Sequence, residues 1–138
     1  MRKPITVLAA AALAAVLLPA TASATPGSGV AGTILAQKTI GHTDYTLREI
    51  TVQPGGYTGW HFHDGTLYAY VKAGTLTHNL ADCSIDGIFG AGRAFTEKPD
   101  QVHIGRNLGS TPLVLEVLYV LPAGSPLSED APNPGCGF

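Results

Sequence analysis

The sequence has few charged residues, few cysteines and no excess of positive charge. Charged residues make up 13% of its 138 residues, about half of the usual ~25%. Eight Lys and Arg against ten Asp and Glu give a formal net charge of −2, so no basic surface is available for nucleic acid or anionic lipid. Apolar residues nevertheless reach 45%, which excludes a highly charged, disordered chain. We expect one small globular domain with no nucleic-acid partner.

Several enzyme motifs are also missing. The sequence contains no GxSxG nucleophile elbow, no P-loop and no HExxH zinc motif. These absences exclude the common serine-hydrolase, nucleotide-binding and zinc-peptidase patterns.

The first 24 residues are typical of a secretory signal peptide. Arg2 and Lys3 provide the positive start, residues 5–18 are mostly apolar, and small residues end the segment. We expect cleavage before Thr25, secretion of the mature protein and no stable membrane insertion afterwards. An uncleaved membrane anchor is the alternative interpretation.

Two cysteines, Cys83 and Cys136, remain in the exported chain. An even number of cysteines outside the cytoplasm favours one disulfide. Closing a loop of this size stabilises a fold by about 4 kcal/mol in the chain-entropy model. A pair of free thiols is the alternative.

After residue 24, Gly and Pro are so frequent that little helix can fit. The longest stretches without either are residues 42–53 and 75–86. Short strands are predicted within 42–53 and over 31–39, 57–63, 67–72, 75–80, 94–97, 102–107 and 113–121, separated by turn residues. This spacing predicts an all-β sandwich or barrel. We expect a flexible lead-in over 25–30, the domain over 31–121 and a Pro-rich tail over 122–138 packed on the barrel.

The strongest chemical signal is the sequence His61-Phe62-His63. Residues two apart in a strand point to the same face, so both imidazoles can converge on one metal ion. A third histidine, His103, begins a later predicted strand. Two exposed histidines on an edge strand are the alternative interpretation of the His-x-His pair.

With these residues the chain resembles the cupin superfamily. The first cupin motif is matched by Gly55, which five residues separate from His61, by His61 and His63 themselves, and by Gly74. The second motif is matched by Gly92, His103 and Asn107. The second motif is imperfect, because Pro99 lies one place late and Asp100 replaces a glycine. Segments 59–63, 74–77 and 131–138 are similar to small exported single-domain actinobacterial cupins. The resemblance implies a single cupin jelly-roll β-barrel of the RmlC-like kind.

The resemblance implies a metal site that lacks one ligand. The motif's glutamate falls at Leu67, or at Tyr68 with the longer spacing, and neither residue is a carboxylate. The implied ligands are therefore His61, His63 and His103, which suit Fe, Zn, Ni, Co, Cu or, less well without the carboxylate, Mn.

Cupin chemistry implies a metal-dependent oxygenase or isomerase acting on a small organic substrate. A non-catalytic small-ligand-binding or structural module is the alternative, and the catalytic residues are unknown. Leu67, Tyr68 and Tyr119 are candidate pocket residues. We expect His42 and His78 to face solvent, and the protein to be a monomer or a homodimer.

Overall fold

The computed structural model describes residues 25–138, so the predicted signal peptide lies outside the described residues. This part of the chain contains no helix, and hence none that is long and apolar enough to cross a membrane. It forms ten strands: β1 (Ser28–Ile40), β2 (Thr43–Tyr57), β3 (His61–Phe62), β4 (Thr66–Ala73), β5 (Thr75–Leu80), β6 (Ile85–Gly90), β7 (Ala94–Glu97), β8 (His103–Arg106), β9 (Leu113–Pro122) and β10 (Glu129–Asp130).

The strands pair in antiparallel fashion and form a nearly closed barrel. In one wall β9 lies between β2 and β4, with β1 and β7 outside them. The other wall contains β6, β5, β8, β3 and β10 in that order. The two walls join where β2 pairs with β8, at Tyr57 and Arg106. The all-β prediction of a single jelly-roll barrel is confirmed.

The core lies between the walls and is built from alternate residues of the strands. On β4, Leu67, Ala69 and Val71 are buried, whereas Tyr68 and Tyr70 are exposed. The same alternation buries every second residue of β9, namely Leu113, Leu115, Val117, Tyr119 and Leu121. Because successive strand residues point to opposite faces, these two strands line the barrel interior with apolar side chains.

Strand β1 extends the first wall and begins earlier than predicted. Its pairing with β2 starts at Ser28, so residues 28–30 belong to a strand and not to a flexible lead-in. All thirteen residues of β1 are exposed, including Val30, Ile34 and Leu35. Among the described strands, β1 pairs only with β2, which leaves its outer edge open.

The C-terminal segment, residues 122–138, packs on the barrel and also extends a sheet. Although this segment is rich in proline, the two residues of β10 pair with His61 and Phe62 of β3. Ala131 and Cys136 lie in a second buried cluster with Trp60 and Ile104. The Sγ atoms of Cys83 and Cys136 are 2.06 Å apart, the distance of a disulfide, which fits the pairing predicted from the sequence.

Two positions of the cupin motifs, Gly74 and Asp100, have a positive φ. Gly74 has a φ of 75°, and a Cβ atom there would lie 2.6 Å from the carbonyl oxygen of Pro112. Asp100, which replaces the glycine of the second motif, has a φ of 59°, a conformation that Asp tolerates better than most residues. Its backbone N–H donates to the carbonyl oxygen of His63 at 2.9 Å, so the departure from the motif preserves the turn.

Candidate metal centre

Three histidines from adjacent strands meet at a cavity inside the barrel. His61 on β3 pairs directly with His103, the first residue of β8, and His63 follows β3. The ring of His61 lies 4.3 Å from that of His103 and 4.9 Å from that of His63, centroid to centroid. One nitrogen from each ring lies within 4.8 Å of the others. The structure thus brings together the three residues that the sequence predicted as ligands.

Backbone carbonyl groups fix the orientation of all three rings. The Nδ1 atoms of His61, His63 and His103 lie 2.9, 2.7 and 2.7 Å from carbonyl oxygens, those of Gly59, Leu127 and Gln101 respectively. A carbonyl oxygen only accepts, so each Nδ1 donates and each Nε2 carries the free lone pair. The Nε2 atoms of His63 and His103 are buried and have no hydrogen-bond partner within residues 25–138. Buried polar atoms rarely lack a partner, and two ring nitrogens of this kind fit a metal ion.

Burial favours the neutral form of His61 and His103. Desolvation, followed by the neighbouring His103 and His63, lowers the pKa of His61 to about 3. Desolvation also lowers the pKa of His103. Since neutral imidazole is the form that binds metals, the site is prepared for a cation at neutral pH.

A carboxylate that the sequence analysis did not single out lies beside these rings. Glu97, the last residue of β7, places Oε2 at 3.2 Å from Nε2 of His63 and 3.5 Å from Nε2 of His103. Burial alone would raise the pKa of Glu97, but its contacts with the rings of His63 and His78, and then the nearby His103, hold that pKa well below its usual value. Glu97 is therefore an ionised carboxylate at neutral pH.

His78 is also part of this cluster, which corrects the expectation that it faces solvent. Only 2% of its side chain is exposed, and its ring lies 4.7 Å from that of His103. Its Nδ1 is 3.1 Å from Oδ2 of Asp86, and its Nε2 is 3.4 Å from Oε1 of Glu97. His78 therefore contacts two carboxylates, that of Asp86, which is 43% exposed, and that of Glu97 beside the three histidines. His42, by contrast, is exposed as expected.

Two of the three candidate pocket residues line the cavity. Leu67 and Tyr119 are buried and lie in its wall, and the ring of Tyr119 meets that of His63 edge-on at 5.8 Å. Burial raises the pKa of Tyr119, so its hydroxyl stays protonated at neutral pH. Tyr68 is 53% exposed; its assignment to the pocket is wrong, because β4 keeps its regular alternation and directs Tyr68 outward.

The cavity has an apolar interior and a polar approach. Its inner part is about 40 Å³, which is room for a few atoms of the size of water. An outer part of about 210 Å³ shares His61, His63 and Tyr119 with it and adds polar side chains, namely Arg48, Ser128 and Asp130. A small molecule with a polar end fits this arrangement.

The family comparison agrees with the fold and the site. The sequence model of the family described as Cupin domain matches residues 48–121, more than half of the chain. The chain belongs to the cupin family. Both histidines of the first cupin motif and the histidine of the second fall within the matched range.

Solved cupin-like structures share the barrel at low sequence identity. The polyketide cyclase RemF from Streptomyces resistomycificus has a TM-score of 0.61 at 21% identity, over 80% of this chain and 79% of the cyclase. A cupin domain from Bordetella pertussis has a TM-score of 0.55 at 22% identity, over 70% and 95%. KdgF from Halomonas sp. has a TM-score of 0.54 at 20% identity, over 65% and 77%. No curated protein matches this cupin. At these identities the likeness shows the fold alone.

Proposed function

We propose that this cupin binds one divalent transition metal through His61, His63 and His103, and that the metal in turn binds a small organic molecule. The observation that carries the proposal is that one nitrogen from each of the three rings lies within 4.8 Å of the others, while the buried Nε2 atoms of His63 and His103 have no hydrogen-bond partner among the described residues. Three neutral imidazoles with Nδ1 fixed by backbone carbonyls are a donor set suited to Zn, Fe, Ni, Co or Cu. The residues present therefore fit the metal that the family implies.

The chain itself determines what else can enter the site. Leu67, Val117 and Tyr119 exclude bulk water from the inner cavity, while Arg48 places a cation in the outer part. A bound divalent metal supplies Lewis-acid or oxygen-activating chemistry. These features favour a small organic substrate with an oxygen donor at one end and a polar or anionic group at the other, and reactions of the oxygenase or isomerase class.

We also propose that the protein works outside the cytoplasm. Residues 1–24 have the pattern of a signal peptide. The cysteine pair at disulfide distance is typical of proteins in an oxidising compartment. Metal uptake would then follow export.

Elemental analysis of the full-length gene product, recovered after export and purified without chelators or metal resin, tests the proposal. We expect about one transition metal per chain, and we expect His103→Ala to abolish stoichiometric binding because the substitution removes one of three ligands. His42→Ala, which removes an exposed histidine away from the cavity, is the matched control and should bind metal normally. Metal-free wild-type protein that stays empty after metals are added would contradict the metal site. Unchanged uptake by His103→Ala would contradict this ligand set.

A further inference from the structure

The position of the missing motif glutamate is occupied by Leu67, and Glu97 is its direct partner on the next strand. β4 and β7 are antiparallel, and their register pairs Leu67 with Glu97. Directly paired residues of neighbouring strands place their side chains on the same face, with Cβ atoms about 4.5–5.5 Å apart. Glu97 therefore enters the same wall of the cavity that a glutamate at position 67 would enter, from one strand further along the sheet.

The distances from Glu97 to His63 and to His103 are those between ligands that share one ion. Bonds of about 2.0–2.2 Å from one metal to nitrogen and oxygen separate neighbouring ligand atoms by about 3.0–3.5 Å. Oε2 of Glu97 lies 3.2 Å from Nε2 of His63 and 3.5 Å from Nε2 of His103. These nitrogens and this oxygen all carry lone pairs, because Nδ1 of each ring already donates to a carbonyl group. Acceptors that face one another at this distance repel unless a metal ion or a proton lies between them, and a metal ion satisfies all of them at once.

The other carboxylate oxygen of Glu97, Oε1, contacts a different histidine. Oε1 of Glu97 faces Nε2 of His78 at 3.4 Å, so the two oxygens have different neighbours. Within the described residues, the groups that pair with Glu97 are imidazoles and not lysine or arginine. A largely buried carboxylate without a permanent cation is costly, and a divalent ion beside Oε2 removes that cost.

We propose that Glu97 is the fourth ligand of the metal and replaces the motif glutamate lost at Leu67. The inference rests on the proposed function, since it requires the three-histidine site to bind metal. It changes the ligand set from three neutral nitrogens to three nitrogens and one charged oxygen. A site of that composition retains affinity for the harder ion Mn²⁺, which three imidazoles alone bind less well.

Titration of the metal-free protein with Co²⁺ tests the assignment through two readouts, the affinity measured against a competing chelator and the visible absorption spectrum of bound Co²⁺. Glu97→Leu and Glu97→Gln should lower the Co²⁺ affinity by about 100-fold or more, since even outer residues of metal sites contribute 10- to 100-fold. The Glu97→Leu spectrum should also change, because an oxygen ligand is lost. Glu49→Gln, which removes an exposed carboxylate paired with Lys72, is the matched control and should match the wild type.

A double variant tests whether the two positions are equivalent. Adding Leu67→Glu to Glu97→Leu returns a carboxylate to the motif position, and we expect at least a tenfold recovery of Co²⁺ affinity over Glu97→Leu alone. A double variant that binds no better than Glu97→Leu would overturn the replacement. Thermal unfolding of each metal-free variant checks the fold.

The outcomes separate this inference from the proposed function. If the wild type binds Co²⁺ and His103→Ala does not, while Glu97→Leu retains the wild-type affinity and spectrum, Glu97 is not a ligand and the three-histidine site stands. If the wild type does not bind Co²⁺ at all, the proposed function itself fails.

Discussion

His78 shows how one side chain outside the ligand set can control the geometry within it. Its Nε2 faces Oε1 of Glu97, and its Nδ1 is held by Asp86 at the protein surface. The ring is packed against His103 and Phe95, so it cannot turn away. A His78 ring with hydrogen on both nitrogens donates to both carboxylates, and in that form His78 is a positioning residue for Glu97, in the way that outer residues orient ligands in other metal sites.

Replacing His78 by alanine should weaken metal binding without abolishing it. The substitution leaves His61, His63 and His103 in place but removes the group that fixes Glu97, so we expect a loss of roughly 10- to 100-fold in Co²⁺ affinity. Chelator competition on the metal-free protein measures this, and His42→Ala is again the control. Because a structural defect would also lower affinity, the Co²⁺ spectrum is recorded at saturation. An affinity within twofold of the wild type would contradict the positioning role.

The three histidines could be predicted from the sequence and the other two members of the cluster could not. His61, His63 and His103 stand at motif spacings, and strand alternation places the first two on one face. Glu97 and His78 reach the cavity only through the pairing of β4 with β7 and of β5 with β8. Pairing register is a long-range property that no local pattern specifies. A signal did exist, because a strand that ends in Glu97 near the motif histidine is a candidate to supply the carboxylate missing at Leu67.

At the scale of elements, the turn between β4 and β5 depends on Gly74. The positive φ of Gly74 and the closeness of the Pro112 carbonyl leave no room for a side chain. Gly92 has a similar φ of 86°, but a Cβ there would meet nothing within 4 Å. Substitution of Gly92 would therefore carry only the free-energy cost of the backbone conformation, whereas substitution of Gly74 would carry that cost and the cost of the clash.

Gly74→Ala should destabilise the protein more than Gly92→Ala. A left-handed conformation costs a non-glycine residue about 1–2 kcal/mol, and this cost applies to both variants. The clash at position 74 should add about 1–3 kcal/mol, the range typical of overpacking. Urea unfolding of the two metal-free variants measures the difference. Equal free energies of unfolding would show that the β4–β5 turn can move away from Pro112.

Many strands could be located from the sequence because Gly and Pro mark their ends. β2 nevertheless continues through Pro54, Gly55 and Gly56, and β6 was not predicted. The early start of β1 at Ser28 and the short strand β10 were missed because Gly and Pro are frequent in both segments. These residues disfavour strands locally, but pairing with β2 and β3 overrides the local preference.

At the scale of the whole molecule, the link between Cys83 and Cys136 should contribute much of the stability. The two residues are 53 positions apart, and closing such a loop is worth about 4 kcal/mol in the chain-entropy model. We therefore expect the double variant Cys83→Ser and Cys136→Ser to lose about 3–4 kcal/mol of unfolding free energy. Urea unfolding of the metal-free protein measures the loss. A loss below about 1 kcal/mol would contradict the prediction, since bridges of this span rarely contribute so little.

The tail that Cys136 fastens also contributes to the proposed metal centre, since the carbonyl oxygen of Leu127 accepts the Nδ1–H of His63. Releasing the tail therefore removes the group that holds one ligand ring in position. Oxidation of the cysteines and occupation of the centre are then thermodynamically linked, and each favours the other by the same free energy. A chelator should make the disulfide easier to reduce, and a reductant should make the metal easier to remove. A chain still in a reducing cytoplasm would bind metal weakly, and would acquire full affinity only where its cysteines become oxidised.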